Sequence, residues 1–324
     1  MYNNISCNLP VYIPKYLISN RDKIEILSNV NITNSTKIRF YINESNGYTK
    51  YMNIEKYISK IETIIATIVC NNSLFIFTNN KVVKIDKEKK ISRITIESMD
   101  KNTLQNAFVS LGDKIYYFVN NKINILDSNT MKVSYVDLET DYEYYFASVM
   151  NDSKIIFTMY DSSIASGTLL YPSIYNIETN EVTYQHTRGH ADPSKITRLN
   201  LYFTHWGSND SAYYCYILNK NTGKFYDMDN GIMKNMSNHL STDNCICTLF
   251  FDKLFILNKD NNSIWCMDNI DSDPYLIKEI YTTYKTISFF IRSNINNETA
   301  LCILTENFDI IEYNLDLRIG GDNL

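Results

Sequence analysis

Residues 111–139 read LGDKIYYFVNNKINILDSNTMKVSYVDLE, and this stretch decides how the chain is understood. An apolar segment ends in Gly112-Asp113, an alternating run IYYFV ends in Asn120-Asn121, a third run INIL ends in Asp127-Ser128-Asn129, and a fourth, KVSYVDL, follows. Period-two alternation predicts strands and not helices. The residues between the runs suit the backbone conformations of tight turns. The unit is a meander of four short strands.

Copies of the plan run through the chain. Residues 71–97, NNSLFIFTNNKVVKIDKEKKISRITIE, repeat polar turn, strand, Asn-Asn, strand, charged turn and strand in the same order. The third strand, its polar turn and the next strand make the clearest marker. It recurs as VVKIDKEKKISRI, INILDSNTMKVSYV, SIYNIETNEVTYQH, CYILNKNTGKFYDM and SIWCMDNIDSDPYLI, centred near Ile85, Leu126, Tyr175, Ile217 and Trp265. A spacing of about 40 to 50 residues is the period of a four-stranded propeller blade. Weaker copies at residues 37–61 and 285–315 raise the count to seven.

The pattern of apolar strand, Asp or Asn, two or three polar residues, Thr or Lys and another strand resembles the blades of the broad propeller group that contains the YVTN, quinoprotein and kelch-like proteins. The resemblance covers nearly the whole chain. It lacks the Gly-His and Trp-Asp signature of WD40 blades and the paired glycines of kelch blades, so it implies a fold and carries over no functional residue. The expectation is an all-β, seven-bladed β-propeller of four-stranded antiparallel blades, residues 1–324 forming one domain. A strand from residues 1–30, such as KIEIL, is expected to close the ring. A pair of β-sandwiches is the competing all-β reading, whereas the repeat is too long for a β-helix coil.

Composition agrees with a folded β protein. Of 324 residues, 44% are hydrophobic and 26 are Tyr and 15 Phe, types that favour a pleated, half-buried surface. With Gly at only 9, Asn and Asp are left to make the turns. A net charge of -5 with no basic stripe points away from nucleic acid. No leader with a basic and then an apolar segment is seen, and no run approaches a membrane span, so a cytoplasmic or non-classically released protein without membrane insertion is expected. The seven cysteines, at 7, 70, 215, 245, 247, 266 and 302, mostly lie in apolar runs and read as buried free thiols.

Departures from the repeat point to a working face. In a meandering blade the loop between the second and third strands emerges beside the connection to the next blade. Residues 160–172, 187–197 and 229–243 are the longest such stretches, and all map to one face. His186, His190 and His239 lie in or beside them, and His205, followed by Trp206, is expected at the end of a second strand pointing the same way. His186, Arg188, His190 and Asp192 alternate by two, so an extended backbone presents all four to one side. The candidate ligand-binding set is His186, Arg188, His190, Asp192, His205, Trp206 and His239. His and Asp are metal ligands as well as hydrogen-bonding groups, but no established metal-ligand spacing is present, and exposed histidines capping turns give the same pattern. No catalytic residue, cofactor or resident metal is assigned. Two functions remain open. One is a non-catalytic module presenting these loops, and tyrosine and asparagine platforms, to a protein or glycan partner. The other is a lyase or glycan hydrolase with a metal or acid/base site built from the four histidines.

Overall fold

The computed structural model describes residues 37–42, 48–58, 62–100, 103, 105–139, 144–161, 168–169, 173–184, 201–205, 215–219, 224–227, 233–235, 245–250, 253–259, 261–267, 274–280, 284–293 and 299–320. The first two strands are β1 (Lys37–Ile42) and β2 (Tyr48–Asn53). Four-stranded meanders then follow in chain order. The first is β3 (Ile64–Cys70), β4 (Ser73–Thr78), β5 (Lys81–Ile85) and β6 (Ile91–Thr95); the second is β7 (Phe108–Leu111), β8 (Lys114–Val119), β9 (Lys122–Asp127) and β10 (Val133–Asp137). The third, β11 (Tyr144–Asn151), β12 (Lys154–Asp161), β14 (Ser173–Asn176) and β15 (Glu181–Thr183), has the two-residue β13 (Thr168–Leu169) added on β12. The fourth is β16 (Leu201–His205), β17 (Cys215–Asn219), β18 (Lys224–Asp227) and β19 (Met233–Asn235). The fifth is β20 (Cys245–Phe250), β21 (Lys253–Asn258), β22 (Ser263–Met267) and β23 (Tyr275–Glu279).

The closing sheet joins both ends of the chain. β24 (Thr286–Ser293), β25 (Thr299–Thr305) and the long β26 (Asp309–Gly320) form three of its strands, and both β2 and β1 pair antiparallel with β26, Asn53 opposite Asp309 and Lys37 opposite Gly320. The described strands thus make six antiparallel sheets, not seven. The two weak terminal copies are one sheet built from two ends, so counting each as a blade adds one too many. In the described residues β1 and β2 close this sheet on β26, and KIEIL lies outside the described residues.

The first strand of each sheet lies innermost. β3 has both β24 and β7 as neighbours, β7 has β11, β11 has β16, and β20 has β24. Sheets therefore pack face on face around an axis, the architecture of an all-β propeller with four-stranded blades. Their apolar faces interlock: Phe77, Phe108 and Tyr117 bridge the first two sheets with ring centroids 4.9 to 5.6 Å apart, and Phe118 meets Phe157 of the third at 4.8 Å. One face of the closing sheet packs on the first sheet through Phe290, Leu304 and Ile310, and the other packs on the fifth through Phe289, Leu301 and Ile303.

Turn chemistry explains the repeat. Asn71-Asn72 and Asn120-Asn121 have φ between 47° and 57°, the left-handed region that hairpin turns demand. After the third strands, Asp86 accepts the N–H groups of Glu88 and Lys90, Asp127 those of Asn129 and Thr130, and Asn176 those of Glu178 and Thr179. Side-chain oxygens here replace water on backbone donors that the ladder leaves unpaired. Asp127 consequently has its carboxyl pKa lowered, first by the Thr130 N–H.

Of the cysteines, Cys70, Cys266 and Cys302 are buried and free, as their apolar surroundings predict. Among the described residues no helix is long and apolar enough to cross a membrane.

Candidate functional face

One hydrogen bond recurs in four sheets. The residue after the outermost strand donates its N–H to the turn between second and third strands: Ile96 to the Asn80 carbonyl (2.9 Å), Leu138 to Asn121 (2.8 Å), Ile280 to Asn262 (2.7 Å) and Ile54 to Phe308 (2.9 Å). Each inter-sheet connection therefore leaves beside that turn. Call this the loop face. The topological argument made from the sequence holds in these sheets.

On the third sheet this face is built outward. β12 pairs with β14 only as far as Phe157 opposite Ser173, then continues, with Tyr160 opposite Leu169 and Asp161 opposite Thr168 of β13. Over this length β12 also stays paired with β11, as far as Tyr160 opposite Tyr144, and Thr158 and Met159 are buried. Residues 160–172, expected as a plain loop, are thus strand at their start and at Thr168–Leu169. Around the base of the hairpin, Tyr145 donates its hydroxyl to Asn121 Oδ1 of the preceding sheet (3.0 Å), and the Glu139 N–H donates to Tyr184 Oη (3.0 Å). Burial pushes the Tyr184 phenol pKa up, and the N–H bond from Glu139 works against that rise. Tyr184 stands at the start of the connection from the third sheet to the fourth. Its tie to Glu139 anchors the start of that connection.

Most of the sequence-derived set lies outside the described residues: His186, Arg188, His190, Asp192, Trp206 and His239. The described strands that flank them in the chain are β15 and β16 for residues 185–200 and β19 and β20 for residues 236–244.

Two expectations need correction. His205 ends β16 opposite Cys215, and β16 is the first strand of its sheet, not the second. The chain enters β16 at Leu201, so His205 stands at the far end of that first strand, and Trp206 lies outside the described residues. The cause is a misread turn. Asn219-Lys220-Asn221-Thr222-Gly223-Lys224 has the composition of a third-to-fourth-strand turn, yet it joins the second strand, β17, to the third, β18. Residues 229–243 are likewise not one loop, because β19 divides them, and only the part after Asn235 leads to the next sheet.

The expected tyrosine platforms also change character. Tyr51, Tyr116, Tyr117, Tyr145, Tyr175 and Tyr313 are buried; Tyr135 and Tyr284 are the exposed ones among the described residues. Tyrosine here is chiefly core. Tyr184, Glu139 and Asn121 were missed because nothing in their local pattern separates a turn residue from one that anchors a neighbouring connection. Among the described residues, no group of three or more His, Cys, Asp or Glu side chains is placed to hold a metal ion.

No family model matches the chain, and no curated protein matches it in sequence. Solved structures similar to it include the Pan2 WD40 domain of Neurospora crassa, at 12% identity and TM-score 0.45, covering 85% of this chain and 97% of that one. A Bacteroides thetaiotaomicron protein of unknown function is similar at 9% identity and TM-score 0.48, over 87% and 76% of the two chains. BBS1N, solved in complex with ARL6DN, is similar at 9% identity and TM-score 0.46, over 79% of each.

Proposed function

We propose that the protein is a non-catalytic interaction module that presents the loop face of its third to fifth sheets to a protein or glycan partner. The observation that carries the reading is β13, a strand added on β12 between the second and third strands of the third sheet, which has no counterpart among the described residues of the other sheets. An added strand on a rigid scaffold offers contact area at little ordering cost, the arrangement that loop-borne recognition exploits. His186, Arg188, His190, Asp192 and His239, all outside the described residues, are the candidate side chains we assign to this surface.

Binding to a glycan array and to candidate protein ligands, with metal content measured on the same purified chain, tests the reading. Arg188→Ala and His190→Ala are expected to weaken the bound partner by about 1–3 kcal/mol each with the melting temperature unchanged. Stoichiometric metal, lost together in His190→Ala and His239→Ala, would replace this reading with that of a metalloenzyme.

A further inference from the structure

Among the described residues, five sheets end in a strand whose outer backbone edge is unpaired: β6, β10, β15, β19 and β23. Such an edge is a template for another strand, and folded proteins blunt it by shortness, charge or a bulge. Four of the five are blunted. β15 and β19 have three residues each, the β22–β23 pairing shifts register between Ile264 and Trp265, and β6 carries an exposed Arg93 at its centre.

β10 is set apart by its exposed apolar side chains, and its one charge, Asp137, stands at the end of the strand and not at its centre. Its five residues, VSYVD, pair with β9 in an unbroken register from Val133 opposite Leu126 to Asp137 opposite Lys122. Val133 and Tyr135 are 41% and 58% exposed, two of the four large apolar side chains left open among the described residues. Directions of the backbone groups follow from the bonds at the two ends. Asp127 donates to the Lys132 carbonyl (3.0 Å) and Leu138 donates to the Asn121 carbonyl (2.8 Å), so the even-numbered residues face β9. Antiparallel alternation then turns the N–H and C=O of Val133, Tyr135 and Asp137 outward.

The charge around those three residues is one-sided. Asp137 and Glu139 are exposed, the Glu97 side chain is 58% exposed, and the neighbouring cation is Lys122, 3.1 Å from Glu97 Oε2 and 4.7 Å from the Tyr135 ring centroid. Glu97 and Asp137 share that one ammonium. Side chains of alternate residues share a sheet face, so Asp137 lies on the face of Val133 and Tyr135, and Lys132 on the other.

We propose that the outer edge of β10 is a docking site for an extended segment of a protein partner. The segment adds to the sheet as a fifth strand, with β-branched or aromatic side chains beside Val133 and Tyr135 and a basic residue beside Asp137. Its main-chain bonds supply affinity, while the alternating side chains supply selectivity. This rim surface is separate from the loop face and stands or falls without it.

The probe is a fluorescein-labelled peptide with threonine at alternate positions and valine, valine and lysine between them. Fluorescence anisotropy is expected to give saturable binding. N-methylation of alternate peptide amides, which removes half of the donors, should weaken it at least ten-fold, and Asp137→Lys should reverse the preference so that a glutamate-for-lysine peptide binds better. Amide exchange at Val133, Tyr135 and Asp137 should slow when the peptide is present. Absence of binding, equal binding of the N-methylated peptide, or indifference to Asp137→Lys would overturn the proposal. A concentration-dependent dimer of the free chain that Tyr135→Pro dissociates would also overturn it, assigning the edge to a second copy.

Discussion

Arg292 is only 2% exposed, yet it carries a charge into the seam between the closing and first sheets. Its Nε and Nη2 donate to Glu312 Oε1 at 2.9 and 2.5 Å, and its guanidinium lies 3.9 Å from the centroid of the Tyr51 ring. Lys89, from the first sheet, approaches the same ring at 4.5 Å and donates to the Tyr51 carbonyl at 3.1 Å. Removing Glu312 leaves the buried cation uncompensated. Glu312→Ala is therefore expected to cost about 3–5 kcal/mol in urea denaturation, and Arg292→Met combined with Glu312→Leu to cost less than that single change. The buried thiols set a second expectation. Burial pushes Cys70 from its ordinary 9.0 up to about 12 and holds Cys302 well above its usual value. A raised pKa means that the folded state keeps a proton that the unfolded chain gives up. Stability is then untouched below pH 9 and falls as pH rises from there toward 12, a slope that urea midpoints at pH 8 and 10.5 should show and that Cys70→Ala should lessen. Native Cys70 and Cys302 should resist iodoacetamide at pH 8.

At the scale of the element, turns decide what can be read. Asn72 has φ 57°, and its Oδ1 is buried with no hydrogen-bond partner. Asn72→Gly removes both costs and should stabilise the protein by about 1 kcal/mol, while Asn72→Val should destabilise it by a similar amount, in matched denaturation curves. The markers after β5, β9 and β14 were legible because one oxygen, on Asp86, Asp127 or Asn176, organises each turn, and that requirement is written in residue type. The same rule misled at the β17–β18 turn. Asparagine, threonine and glycine serve any hairpin there, so composition identifies a turn without saying which one it is. The extension of β12 had a signal, the run Thr168-Leu169-Leu170-Tyr171, but two residues of pairing are too short for periodicity to register. His205 was misplaced by the same slip of one strand, which turns it to the opposite face.

For the whole molecule, the repeat disclosed the propeller but not its closure, because pairing between distant segments leaves no local pattern. β1 and β2 cover the outer edge of β26 and put Ile42 and Tyr51 into the core. A chain beginning at residue 54 should expose that edge, melt less cooperatively and elute from size exclusion as aggregates. Closure has a further consequence for synthesis. Asn53, which donates to Asp309 at 2.7 Å, precedes its partner by 256 residues. At roughly 5–20 residues per second the ribosome needs some tens of seconds to deliver the strand that covers it. β1 and β2 are thus made long before β26, the strand that seats them, and during translation they wait unpaired beside the growing ring until Asp309–Gly320 has emerged.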